Sequence, residues 1–302
     1  ERPGEPPAQR LRAFAQLEGD PRPVATLIPQ LQEPALVGRE AAMHFLKQLA
    51  RFHLKARSVL RGDELVFFTR SGFTRSPGSS TLAWLGDQVV SWDASAGIKS
   101  AVTGMLSAGL SGFTLVHSDT GGYTTIDNPL QDSHRSPELL MRWAELSAFT
   151  PVLRTHEGNL PDRNAQPWDE PVVAHFARMA KVFQALAPYR QALVEEAAAL
   201  GHPVARPLFL QYPEDAVAQQ LTFQEFLLGT ELLVAPVLDP GRDQVRVYLP
   251  AGGWVHLWTG QPVAGGWQTV QAPLGKPAVF FRQGSAEGAR LRERLGQAGL
   301  LE

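Results

Sequence analysis

Two carboxylates, an arginine and two histidines stand at the ends of short apolar runs. Arg70 follows LVFF. Gly86-Asp87-Gln88 follows TLAW. His117-Ser118-Asp119 follows FTLV, and His156 lies just beyond FTPVL. Apolar runs of this length, bounded by glycines, read as buried parallel strands. Charged groups at the carboxyl ends of such strands occupy the rim where α/β barrels hold their chemistry. Carboxylates, a guanidinium and imidazoles placed this way suit a polar, neutral-to-anionic substrate.

Each residue also has a plainer reading. Asp87 follows an aromatic-rich strand, with Trp84 and Trp92 nearby. A carboxyl among apolar rings loses solvation and holds its proton, as a general acid requires. Otherwise it is a turn aspartate after a glycine. Asp119 is either a second carboxylate, an acceptor for a sugar hydroxyl, or a residue that shapes the loop. Arg70 either pairs with an acid in the site or leaves the strand at the surface. His156 either donates to a substrate hydroxyl or is a satisfied loop histidine. Tyr123 follows Gly121-Gly122, which let the backbone approach a ligand. Its phenol either meets an anion or packs as an ordinary aromatic. Trp254, Trp258 and Trp267 either form a stacking platform or belong to the core. His117 and His156 lack the HxxxH or HxH spacing of a metal pair, so no metal is expected.

The elements that must hold these residues are legible from periodicity. Met43, Leu46, Leu49, Ala50 and Leu54 mark one face of a helix. Strands are expected over 64–69, 111–117 and 149–154. Helices are expected over 97–110, 136–148, 171–186 and 189–200. Ser136-Pro137-Glu138 is a strong helix start, and Gly201-His202-Pro203 a stop. Alternating strands and helices argue for a parallel α/β sheet or barrel. Beyond about residue 205 the pattern changes to short strands at 231–237, 244–249, 254–257, 268–272 and 278–282. Their Gly/Pro punctuation suggests an antiparallel sandwich. The expected division is an irregular segment over 1–37, a barrel portion over 38–205, a sandwich over 206–285 and a tail, partly helical, over 286–302.

The chain has 302 residues, 44% of them hydrophobic, a net charge of -2 and no cysteine. The charge balance gives no reason to expect nucleic acid or an anionic membrane as partner. Disulfides and thiolate metal sites are excluded. No apolar run reaches the roughly 20 residues of a membrane span, and ERPGEPPAQR lacks the apolar stretch of a leader. A soluble cytoplasmic protein is the expectation.

The same segments resemble glycoside hydrolase family 31. FFTRSGFTRSPGSSTLAWLGDQVVSW, GFTLVHSDTGGYT and FTPVLRTHEG resemble successive barrel strands of that family. RPLFLQYPED, FLLGTELLVAPVLDPG, VYLPAGGWVHLWTG and APLGKPAVFFRQGS resemble its following sandwich. Gln88 after the aspartate, HSDTGGYTT and RTHEGN are most similar to the sulfoquinovosidases of the family. The resemblance implies the C-terminal half of a (β/α)8 TIM barrel, strands 5 to 8, followed by an antiparallel β-sandwich. It implies Asp87 as general acid/base, a pocket lined by Arg70, Trp84, Gln88, Asp119 and His156, and Tyr123 against a sulfonate. It implies a retaining α-glycosidase with a carbohydrate substrate and no cofactor. The alternatives are an α-glucosidase or α-xylosidase, or a non-catalytic carbohydrate-binding relative. The family's nucleophile, an aspartate in an Asp-Phe-Gly-Glu motif, has no counterpart here. The acids before Arg70 are Glu1, Glu5, Glu18, Asp20, Glu33, Glu40, Asp63 and Glu64, and none ends an apolar strand in that pattern. A truncated form lacking the nucleophile is therefore expected.

Overall fold

The computed structural model describes residues 68–72, 76–78 and 80–302. The segment 1–37, the helix expected from Arg39, residues 64–67 and the upstream acids lie outside the described residues. The described residues form one compact unit.

Its first layer is a parallel sheet of β1 (Phe68–Thr69), β2 (Leu82–Trp84) and β3 (Val116–His117), in that order. Helix α1 (Ile98–Leu110) connects β2 to β3 and buries Ile98, Ala101, Val102 and Met105, at three- and four-residue spacing. The register pairs Phe68 with Leu82, Ala83 with Val116, and Trp84 with His117. After β3 come a hairpin, β4 (Ile126–Asn128) and β5 (Gln131–Ser133), and helix α2 (Pro137–Ala148). The Ser136 hydroxyl accepts from the Leu139 N–H at 3.2 Å, so the expected cap forms. Helices α3 (Val172–Ala185) and α4 (Ala187–Leu200) follow, and α4 ends on left-handed Gly201, φ 75°.

The strand expected over 149–154 does not form. Pro151 supplies no N–H, and parallel pairing contracts to one bridge, Thr120 with Thr155. The strand expected over 111–117 shortens to two residues. Short strands can be lost from regular pairing while the chain still runs beside its neighbour.

The second layer contains β6 (Ala205–Arg206), β7 (Phe226–Leu228), β8 (Leu232–Ala235), β9 (Gln244–Leu249), β10 (Trp254–His256), β11 (Pro262–Val263), β12 (Gly266–Gln271) and β13 (Ala278–Arg282). Six of them form an antiparallel sheet in the order β11-β10-β13-β8-β7-β6, and β12 pairs with β9. Helix α5 (Ala286–Gln297) closes the chain, again from a serine cap, Ser285.

Why β7, β8 and β13 are almost wholly apolar follows from their place. Both faces of this sheet are covered. Phe226, Leu232, Val234, Val279 and Phe281 join the core shared with the helices. The alternate residues Leu227, Leu233, Ala235 and Phe280 join a second core with Val247 and Leu249 of β9. A strand buried on both faces loses polar alternation. β9 has one wet face, and there Gln244 and Arg246 are exposed while Val247 and Leu249 are buried. Among the described residues, no helix is long and apolar enough to cross a membrane.

Candidate active site

The two-residue strand period puts Phe68, Trp84 and His117 on one face of the parallel sheet. Their rings confirm it. Phe68 stands edge-on to Trp84 with centroids 6.3 Å apart, and to His117 at 5.6 Å. Arg70 and Asp119 follow Phe68 and His117 by two residues and continue that face past the strand ends.

Arg70 reaches Asp87, with Nη1 3.1 Å from Oδ2. Gly86 makes this possible. It sits at φ 88°, and a Cβ there would come within 3.1 Å of Arg70 Nε. The Asp87 side chain is 31% exposed, so an acid or base at this position reaches solvent and an arriving ligand. The expected enclosure among aromatic rings is not what the structure shows. The guanidinium covers one side of the carboxylate, and that same guanidinium lies 5.7 Å from the Trp84 ring.

Asp119 is fully buried and ion-paired with Arg154. Burial pushes its pKa up, and the Arg154 charge opposes that shift. Nearby Trp84 also favours the ionised form, yet neither Trp84 Nε1 nor Asp119 Oδ2 has a partner at hydrogen-bond distance. His117 lies 3.4 Å from Arg154 through Nε2. Burial, aided by that cation, lowers its pKa to about 4, so the ring is neutral at pH 7.

Tyr123 and His156 meet edge to face at 4.8 Å. Tyr123 is held beside Gln88 by its N–H, which donates to the Gln88 carbonyl at 2.8 Å. Gly122, at φ 79°, lets this turn close: a Cβ would lie 3.0 Å from the Val89 carbonyl oxygen. The Gly158 N–H donates to His156 Nδ1 at 3.1 Å, leaving Nε2 to carry the proton. Gln88 is buried, and its Oε1 has no partner.

The seven residues singled out from the sequence thus fall on adjacent rim segments. Two further members were not anticipated. Arg154 is the counter-ion of Asp119, and its guanidinium lies 5.2 Å from the Phe68 ring centroid. Phe68 packs against Trp84, His117 and Arg154 at once, while 43% exposed. RTHEG carried the only sequence signal for Arg154, a charge at the end of an apolar run. Of the tryptophans, Trp254 and Trp258 are core residues, and Trp267 is exposed beneath the Arg246 guanidinium at 4.2 Å. They form no shared platform.

Comparison with known proteins adds the following. The profile of the glycosyl hydrolases family 31 TIM-barrel domain matches residues 38–193, and that of the family 31 C-terminal domain matches 201–286. A sulfoquinovosidase of Escherichia coli (strain K12) is 50% identical over 223 residues, covering 74% of this chain and 32% of that protein. A sulfoquinovosidase of Agrobacterium fabrum is 48% identical over 240 residues, covering 78% and 35%. Among solved structures, a family 31 sulfoquinovosidase from E. rectale in complex with an aza-sugar inhibitor superimposes with a TM-score of 0.76 at 40% identity. That match covers 83% of this chain and 38% of the other. The chain spans about a third of the length of the curated relatives it matches.

Proposed function

Because the chain belongs to glycoside hydrolase family 31, we propose that the rim holds the acid/base and sugar pocket of a retaining α-glycosidase, selective for α-sulfoquinovosides. One observation carries the reading. Gln88 Oε1, next to Asp87, is buried without a hydrogen-bond partner, and Trp84 Nε1 and Asp119 Oδ2, which interact with each other, are buried on the same rim segments with no further partner. Buried polar groups are ordinarily paired. A ligand rich in hydroxyls supplies both donors and acceptors to such a set.

In this reading Asp87 protonates the departing aglycone and then takes a proton from the attacking water. Its partial exposure suits both steps. Asp119, locked to Arg154, accepts from sugar hydroxyls. His156 donates from Nε2. Tyr123, beside it, meets the anionic end of the sugar. The half-unit identities to two sulfoquinovosidases favour that substrate over glucose.

Retaining hydrolysis needs a second carboxylate roughly 5 Å from the first, on the opposite side of the anomeric carbon. Asp119 is buried and bound by its arginine. We assign it to the pocket and not to nucleophilic attack. The nucleophile then comes from none of the described residues.

Titration calorimetry and a nitrophenyl assay test this together. The chain should bind sulfoquinovose more tightly than glucose, and Tyr123→Phe should narrow the difference. It should release no nitrophenol from nitrophenyl α-sulfoquinovoside above background. Tighter binding of glucose would move the reading to an α-glucosidase. Binding of neither sugar would overturn it. Turnover abolished by Asp119→Ala would make Asp119 the nucleophile and refute its assignment.

A further inference from the structure

Arg135 sits between the β4–β5 hairpin and α2 and is 1% exposed. No carboxylate lies within ion-pair distance of it among the described residues. All five of its guanidinium N–H groups are nevertheless used. Nε donates to the Ala165 carbonyl at 2.8 Å. Nη1 donates to the carbonyls of Gly122, at 3.2 Å, and His156, at 2.8 Å. Nη2 donates to the Glu157 carbonyl at 3.2 Å and to Gln166 Oε1 at 3.0 Å.

Those acceptors come from three separate segments. Gly122 precedes Tyr123. His156 and Glu157 form the next rim segment. Ala165 and Gln166 belong to the loop behind them. Gln166 Nε2 donates back to the Glu157 carbonyl at 3.0 Å, closing the network. Gly121 leaves room for the arginine, since a Cβ at this φ 93° glycine would lie 2.5 Å from Arg135 Cδ. A planar fork of five donors can hold three backbones at once. A lysine has three donors on one atom and cannot.

We propose that Arg135 is the positioning residue of the pocket, fixing the Tyr123 and His156 rings relative to each other through their backbones. This rests on the reading that those two rings contact the sugar. Neither ring touches the guanidinium, so Arg135 acts through them and not on the ligand. Its donors converge on carbonyls of both ring-bearing segments, which Asn159 also joins where its N–H donates to the Tyr123 carbonyl at 3.2 Å.

The test compares Arg135→Lys with Arg142→Lys in the full chain. Arg142 is equally buried, but it ties α2 to the second layer through the Ala272 and Arg242 carbonyls. Two quantities are read. Nitrogen NMR gives the tautomer and titration of His156, and calorimetry gives sulfoquinovose affinity. Arg135→Lys should release the fixed Nε2–H tautomer and weaken sugar binding about tenfold or more, in keeping with lost orientation of contacting groups. Arg142→Lys should lower the melting temperature while leaving both readouts in place. Gln166→Ala removes one acceptor of Arg135 together with the Gln166 bonds to the Glu157 and Pro161 carbonyls, and should move both in the same direction by less, which keeps the test open if Arg135→Lys does not fold. Unchanged His156 behaviour in Arg135→Lys or, failing that variant, in Gln166→Ala overturns the proposal, as does an equal response from Arg142→Lys. If the wild-type chain binds no sugar, the functional reading fails, and the His156 tautomer still decides the role of Arg135.

Discussion

Arg70 and Asp87 depend on a residue with no side chain. Gly86 holds φ at 88°, a region that costs other L-residues about 1 kcal/mol or more. Its missing Cβ is also the space through which the Arg70 guanidinium passes. Gly86→Ala should therefore do two things at once. It should lower stability by about 1–2 kcal/mol from backbone strain. It should also push Arg70 off Asp87 and weaken sugar binding. Thermal melts and calorimetry on the same variant check both. A loss of stability with unchanged sugar affinity would show that the ion pair is not part of the pocket. The sequence allowed Arg70 an acid partner without naming which, because Arg70 and Asp87 follow different strands and only the fold brings them together.

At the scale of elements, the helices were the most legible parts. α2 shows why. Its cap, its N1 proline and its first-turn Glu138 are all local signals. Ser136→Ala should cost about 1 kcal/mol, measured by denaturant unfolding. A change near zero would mean that tertiary packing alone holds the helix end. Such packing is extensive. Trp143 is fully buried and its indole donates to the Ser118 hydroxyl at 3.0 Å. The strands were less legible in two ways. The run FTPVL lost its strand because Pro151 interrupts pairing, and only the Thr120–Thr155 bridge remains. β6 and β7 were missed because runs of two and three residues carry no period. Arg135 and Arg154 fall in the same class. HRSPE reads as a polar helix start, and nothing within it reports that four carbonyls from three distant segments converge on the arginine. Burial of a charge is decided by partners far away in sequence.

For the whole molecule, burial of acids gives a pH dependence with a definite sign. Glu225, at the start of β7, is 1% exposed. Its Oε2 accepts from the Tyr248 N–H at 2.8 Å, and its Oε1 has no partner. Desolvation raises its pKa to about 8. Glu145 joins α2 to the second layer, accepting from Arg142 Nη1 at 2.9 Å and from the Gly275 N–H at 2.6 Å. Burial raises it to about 7 against the opposing Arg142 charge. In the unfolded chain both acids ionise near pH 4.5. The folded state therefore holds more protons than the unfolded state above that pH. The contribution of these two acids to stability is full below about pH 4.5 and is lost as pH rises through 7 and 8. The buried histidines act with the opposite sign. His117, lowered to about 4, adds stability as pH rises from 4 to 6.5 and nothing further beyond. Between pH 6.5 and 8.5 the acids dominate among these groups. The melting temperature should drop across that window, with a slope of at most about 1.4 kcal/mol per pH unit for each acid. Glu225→Gln keeps an acceptor for Tyr248 and cannot ionise, so its melting curve should fall less steeply from pH 6.5 to 8.5. An unchanged slope in that variant would mean that Glu225 ionises in the fold as freely as in water, against everything its burial implies.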